Sequence, residues 1–356
     1  MRLLTYAIRR LLLMVLVLFG LSLLIFYLTR GLLPVNFALA PYITPRMDDA
    51  TRLQIAQGLG IATSSCPSYT SFVNQVGGCV VPLWGQYLKW LTNSLTGNWG
   101  LTLLPGISGT DTTWHVFSSR FPYTAELAVA GAILTILIGI PLGIISATHN
   151  NKLPDHISRI LSLGGYSVPQ FWFGAMLQII FVLYIRVNGS GLLPATGVLA
   201  TSCGICLADP SSAPAFIWDS IVSLILPALT LAITSIGALS RIVRSSMMDT
   251  LRQDYILLAR SKGLKERVVV YRHALRNALL PAVTVAGLLA AYLLGGVVVI
   301  EIVFSWPGVG NTAFVAAEVL DVNFLELYVL VTAVIIVMIN LGVDILYAKL
   351  DPRIRY

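Results

Sequence analysis

Charge is scarce in this chain. Only 11% of its 356 residues are Asp, Glu, Lys or Arg, and 56% are hydrophobic. An ordinary soluble domain carries roughly a quarter charged residues, so a water-soluble globule is excluded. Histidine is also sparse: four residues lie scattered at 115, 149, 156 and 273. There is no HExxH, no GxSxG and no histidine cluster, which leaves metal-dependent and serine hydrolysis without an anchor. Lys nowhere follows Gly, so a GxxxxGK[ST] phosphate cradle cannot form. Acids within the apolar runs are few, with Glu126 and Glu301 near run ends. That argues against a transporter driven by protons or sodium, which buries acids or broken helices at mid-membrane. A chain of this kind that moves a solute takes its energy from another polypeptide.

What the chain has in quantity is uninterrupted apolar sequence. Charge-free runs lie between Arg10 and Arg30, Glu126 and His149, Arg159 and Arg186, Asp219 and Arg241, Arg276 and Glu301, and Glu326 and Asp344. Each approaches the roughly 20 residues a helix needs to cross a bilayer, and none alternates as a strand would. The expectation is an all-α polytopic membrane protein with six transmembrane helices. A further uncharged run, Trp90 to Thr110, holds Asn, Gly, Pro and hydroxyls and is assigned to an interfacial or surface segment. The first apolar run is too long for a signal-peptide core, so it is expected to be an uncleaved anchor. Gly-Gly pairs at 164–165 and 295–296 are expected to mark close helix packing.

Lys and Arg set the orientation. With the N-terminus inside, seventeen of the 23 fall on cytoplasmic segments and six outside. Both termini are therefore expected in the cytoplasm, and the net charge of +7 reflects topology. No groove-reading basic module is evident, so no nucleic-acid partner is expected. Residues 1–30 form the first span, 31–118 a long extracytoplasmic loop with interfacial segments, and 119–356 a five-helix core. The four cysteines, Cys66, Cys79, Cys203 and Cys206, all fall on outer loops. Disulfides in an oxidising compartment fit this placement: Cys66 is expected to pair with Cys79, and a Cys203–Cys206 bond would close a short, strained ring. The CGIC spacing at 203–206 also suits zinc, but Cys66 and Cys79 stand too far apart for a second knuckle.

The densest charge in the chain is DYILLARSKGLKERVVVYRHALRNALLP, between two apolar spans. From Met247 to Lys262 it reads as a helix, stopped by Gly263 in a left-handed conformation. A second helix follows, with Leu264, Val268, Tyr271, Leu275 and Leu279 as its apolar stripe. Leu280-Pro281 is expected to turn the chain into the next span. A basic loop lying on anionic lipid is the bland alternative, but it requires neither a Gly tip nor a structured hairpin.

This hairpin resembles the cytoplasmic coupling loop of ATP-binding-cassette importer permeases, in their oligopeptide, dipeptide and nickel branch. The matching residues are Asp254-Tyr255, Ala259-Arg260-Ser261-Lys262-Gly263-Leu264, and His273-Ala274-Leu275-Arg276-Asn277-Ala278 through Pro281. RFPYTAELAVAGAILTILIGIPLGIISA, DHISRILSLGGYSVPQFWFG, EIVFSWPGVG and NLGVDILYAKLDPRIRY also resemble the family, as does GQYLKWLTNSLTGNWG. Pro34-Val35-Asn36-Phe37 departs from the family's Pro-Gly-Asp-Pro, and Asn98 stands where an Asp is usual. The cysteine-bearing parts of the outer loops look like additions.

The resemblance implies a type I importer permease fold in the cell membrane. It implies a second, different permease as partner, with two cytoplasmic ATPases that bind ATP and Mg. An external solute-binding protein delivers the cargo. The chain itself would be no enzyme and bind no cofactor or metal. Coupling to the ATPase would run through the helix at about 247–264, by Asp254, Tyr255, Ala259, Arg260, Ser261, Lys262, Gly263 and Leu264. Candidate path residues are Tyr166, Gln170, Trp172 and Gln178, although helix packing explains them equally well. Peptides are the expected cargo and oligosaccharides a second class. A nickel importer, or a membrane scaffold or channel independent of ATP, are the alternatives.

Overall fold

The computed structural model describes residues 3–32, 37–44, 46–75, 78–104, 111–184, 186–187, 190–191 and 213–350. These pack as two compact units. One comprises Arg10–Phe121 with Thr312–Ile335; the other comprises Met1–Arg9, Pro122–Asn311 and Ile336–Tyr356.

The first unit holds most of α1 (Leu3–Phe26), then α2 (Asp49–Leu59), α3 (Tyr69–Val73) and α4 (Leu83–Leu95). Helix α2 starts where the Asp48 carboxylate accepts from the Thr51 amide at 3.3 Å and from its hydroxyl at 2.5 Å, filling donors left open at a helix N-terminus. It ends at Gly60, in the left-handed region at φ 78°. The segment expected as an outer loop has a core of its own. Leu39, Ala56, Ile61 and Phe72 are buried around a Cys66–Cys79 disulfide. A bridge between Ala62 and Val80 pairs the backbone on either side of it. Since Cys66 and Cys79 bind each other, a four-cysteine zinc site is overturned; Cys203 and Cys206 lie outside the described residues.

Helix α4 is amphipathic. Its Tyr87 and Trp90 are buried against Phe26 of α1, with ring centroids 5.4 Å from that ring in each case, and the Tyr87 and Ser22 hydroxyls bond at 2.8 Å. Near the end of α1, Arg30 pairs with Glu326 at 3.0 Å, a carboxylate that is only 1% exposed. Burial of such a pair is tolerable only where hydrogen bonds complete the shell. Thr29 supplies one at 2.8 Å.

The second unit contains most of α5 (Thr113–Thr148), α6 (Leu153–Ser167), α7 (Gln170–Gln178) and α8 (Ala213–Leu251). The chain then forms α9 (Asp254–Ser261), α10 (Glu266–Val268), α11 (Leu275–Val303), α12 (Val309–Glu318) and α13 (Val322–Leu350). Residues 186–187 and 190–191 make a short antiparallel ladder. Leu127 of α5, Leu226 and Leu231 of α8, and Leu293, Val297 and Ile300 of α11 form one core with Phe304 and Trp306. Helices α6 and α8 cross closely: a Cβ on Gly237 would stand 2.5 Å from the Ser162 carbonyl oxygen. Only small residues permit such an approach in a membrane bundle.

Five helices among the described residues are long and apolar enough to cross a membrane: Arg10–Gly31, Thr113–Thr148, Ile221–Leu251, Glu266–Val303 and Val322–Ile345. The run expected as the third of six spans is broken. Val168 is extended at φ −87°, ψ 130°, as a residue before proline prefers, and Pro169 has no amide to continue the ladder. A shorter apolar helix, Gln170–Phe181, follows the break. The glycine pairs divide likewise. Gly165 packs against the Ile233 backbone and Gly296 makes ordinary contact, while Gly164 and Gly295 meet nothing.

Candidate functional site: the hairpin after α8

The expected helix from Met247 to Lys262 is two helices. Helix α8 ends at Leu251, Gln253 is extended at φ −74°, ψ 147°, and α9 starts at Asp254. Met247 and Ile256 would lie roughly 13 Å apart along one straight helix. Instead both are fully buried in a cluster with Val269, Val270, Ala274 and Ala278. Burial of that shared apolar surface bends the chain against its local helical preference.

Gly263 stops α9. It lies at φ 75°, and its amide donates to the Arg260 carbonyl at 2.9 Å while the Lys262 amide donates to that of Leu258 at 3.1 Å. A Cβ at Gly263 would meet nothing within 4 Å, so backbone conformation alone demands glycine here. Across the turn, the Arg260 guanidinium donates to both Glu266 oxygens, at 2.6 and 3.2 Å, in the bidentate geometry that fixes both partners. The Tyr255 hydroxyl accepts from Asn277 Nδ2 at 2.8 Å.

The expected stripe after the turn holds in part: Leu275 and Leu279 pack against the buried cluster. Leu264 and Tyr271 are exposed, whereas Val269, Val270, Ala274, Ala278 and Ala282 are buried. A π-helical turn at Val269–Ala274 adds a residue to the turn and shifts the faces. Nor does Leu280-Pro281 form a turn: the helix runs unbroken from Glu266 to Val303 with Pro281 inside it. What the hairpin leaves outside is Tyr255, Leu257, Leu258, Leu264 and Tyr271. Of the eight residues expected to couple, Ala259 is buried as the foot of α9. Asp254, Tyr255, Arg260, Ser261, Lys262, Gly263 and Leu264 are on the surface.

A second bracket, missed in the sequence, holds this end of the unit. Asp155 of α6 is fully buried. It accepts from Ser146 Oγ at 2.5 Å and the Asn151 amide at 2.9 Å. It also accepts from Arg159 at 3.0 Å and from Arg244 Nε and Nη2 at 2.9 and 3.1 Å. Arg244 beside it holds the Asp155 carboxyl well below the usual carboxylate range. The bracket ties the α5–α6 turn to α8, seven residues before that helix ends. The usable signal was an acid at i with arginine at i+4 on a short amphipathic helix.

At the other end of α11, Glu301 is fully buried, accepting from Thr124 Oγ1 at 2.6 Å and the Asn311 amide at 2.7 Å. Trp306 Nε1 donates to the Tyr123 carbonyl at 3.0 Å. The EIVFSWPGVG segment thus closes on the start of the α5 span.

The four candidate path residues do not converge. Gln170 donates to Thr234 Oγ1 at 2.7 Å and Gln178 to the Val303 carbonyl at 3.2 Å. Tyr166 is exposed under the Arg241 guanidinium, 5.5 Å from its ring centroid, and Trp172 is exposed. Among the described residues no three His, Cys, Asp or Glu side chains gather as metal ligands.

A helical, multi-pass membrane protein with a Gly-tipped polar hairpin at one end is the class these features define. Residues 139–356 match the family of binding-protein-dependent transport system inner membrane components, and the chain belongs to that family. It is 35% identical over 361 residues to the dipeptide transport system permease protein DppB of Alkalihalophilus pseudofirmus, covering 99% of this chain and 100% of the relative. It is 34% identical over 351 residues to the oligopeptide transport system permease protein AppB of Bacillus subtilis, covering 99% of each. In fold it is similar to the MetNI methionine ABC transporter, with a TM-score of 0.50 at 13% identity over 67% of this chain and 97% of that one. The chain is a permease component of an ATP-binding-cassette importer.

Proposed function

We propose that the chain carries di- and oligopeptides inward as half of a translocation path. The observation that carries this reading is 34–35% identity, over alignments covering 99% of the chain, to permeases named for dipeptides and oligopeptides. A second permease completes the path, an external binding protein delivers the peptide, and two cytoplasmic ATPases bind ATP and Mg. Residues 1–30 are the first span, 31–118 an extracytoplasmic segment with α4 in the membrane interface, and the core from 119 onward supplies five more spans, beginning with α5 and the broken α6–α7 pair. The hairpin at 254–264 docks on one ATPase. Its exposed Tyr255, Leu257, Leu258 and Leu264 are apolar, beside cations, as suits a protein cleft better than water. The rigid turn at Gly263 and the Arg260–Glu266 pair transmit ATPase closure to α8 and α11 as a body movement.

Uptake in proteoliposomes holding the complete transporter tests the cargo. Labelled dipeptide or oligopeptide should accumulate with ATP and binding protein present, and should not accumulate without either. Accumulation of an oligosaccharide or nickel, with no peptide uptake, would contradict the proposal.

A further inference from the structure

Beside the Asp155 bracket lies a cavity of about 300 Å³, lined by Leu142, Leu163, Ser162, Arg159, Arg241 and Arg244 among others. Leu142, Leu163 and the carbon atoms of four serines give it mostly apolar walls, and three arginines complete the lining. The only carboxylate bonded to them among the described residues is Asp155, which takes both Nε and Nη2 of Arg244 and one nitrogen of Arg159. Arg159 Nε is buried without a hydrogen-bond partner. Arg241 makes its described contact with the Tyr166 ring alone. Arg244 Nη2 also donates to Asn150 Oδ1 at 3.1 Å, and Arg159 Nη2 lies 3.3 Å from His156 Nδ1. Three guanidinium groups against one carboxylate leave a net positive charge, with Arg241 the one that has no described hydrogen-bond acceptor. Outside it, Ile160, Leu161 and Tyr166 of α6 are exposed, as on a surface that faces acyl chains.

We propose that this cavity binds one acidic phospholipid. The phosphodiester sits against Arg241 and Arg159, and one acyl chain lies along Leu142 and Leu163. The chemistry is a phosphate anion over paired guanidinium groups. The apolar wall selects a lipid over a free anion, since a small ion gains nothing from hydrocarbon. The site sits within the last two turns of α5 (Thr113–Thr148), on the level where headgroups meet a span. Bound there, the lipid would brace the bracket that leads into the hairpin.

The test is native mass spectrometry of the complete transporter, released from nanodiscs holding equal phosphatidylglycerol and phosphatidylcholine. Wild type should retain phosphatidylglycerol selectively. Arg241→Gln should weaken that retention about fivefold, the effect of one basic residue at a membrane surface. Leu142→Trp keeps every charge but fills the cavity, and should weaken it as much. Equal retention in wild type and both variants would overturn the site. So would loss in Arg241→Gln with none in Leu142→Trp, which assigns retention to diffuse surface charge. Complete displacement by excess inorganic phosphate would assign the rim to small anions and overturn the lipid. If Leu142→Trp does not assemble, Leu163→Trp on the same wall takes its place, and retention unchanged in it beside loss in Arg241→Gln overturns the site in the same way. Retention is read without transport, so failure here leaves the peptide assignment untouched.

Discussion

Asp155 accepts five hydrogen bonds from four residues on α5, the following turn, α6 and α8. Asp155→Asn keeps the shape and removes the charge, leaving Arg244 beside a neutral amide. We predict a loss of about 2–3 kcal/mol, the scale of charge-assisted bonds broken at a buried group, read as a lower unfolding temperature in detergent. Arg244 depresses the carboxyl in the folded state. Its contribution is then complete above the ordinary carboxylate value of about 4 and is lost only as pH falls through the depressed one. The gap between wild type and variant should stay constant from about pH 5 to 9; a gap that closes between pH 8 and 6 would contradict this. Two glycines give a paired test. A Cβ at Gly308 would run into the buried Glu301 carboxylate, while one at Gly164 meets nothing. Gly308→Ala should destabilise by about 1–3 kcal/mol and Gly164→Ala should not, since alanine is favoured in a helix by about 0.5–1 kcal/mol. Equal melting temperatures for the two variants would contradict the packing described.

At the scale of elements, strong local signals were legible and signals set by packing were not. Gly263 ends α9 as the sequence implied, because a left-handed stop is written in one residue. The break at Gln253 has no such marker; it comes from Met247 and Ile256 sharing a cluster with Val269 and Ala274. The apolar stripe of the hairpin's second arm was right at Leu275 and Leu279 and wrong at Leu264 and Tyr271, because a regular 3.6-residue period cannot anticipate a π turn. Alanines at 274, 278 and 282 also carried a weaker hydropathy signal than Leu264 and Tyr271. Proline misled in both directions: Pro169 breaks a run counted as one span, and Pro281 sits within a helix expected to begin there. Helix α4 shows a further consequence of packing. It lies against Ser22 and Phe26, inside the apolar Arg10–Gly31 run, so its exposed Leu83, Trp84 and Leu88 should face acyl chains. Brominated lipids should quench wild-type fluorescence more than that of Trp84→Phe. Equal quenching of both by the lipids, with iodide quenching the wild type preferentially, would place Trp84 in water.

For the molecule as a whole, composition made membrane residence and helical class legible, because no arrangement of 11% charged residues solvates a globule of this size. The Cys66–Cys79 disulfide was legible in where the cysteines fall, but the core that Leu39, Ala56, Ile61 and Phe72 build around it was not, since short polar-flanked helices resemble loop sequence. Sidedness rests on the seventeen-to-six distribution of Lys and Arg. Single cysteines near Asn151 and near Ala213 should label from opposite faces of the membrane, and labelling from one face would contradict the topology. In the proposed mechanism the hairpin transmits ATPase closure to the spans. Gly263 tests it most directly, because its side is open and only its φ of 75° penalises a substituent. Asn tolerates that region and a β-branched residue does not. The measurement is ATP hydrolysis by the complete transporter, with and without peptide-loaded binding protein. Gly263→Asn should retain stimulation, and Gly263→Val should lose it while still assembling. Wild-type stimulation in an assembled Gly263→Val complex would contradict the account.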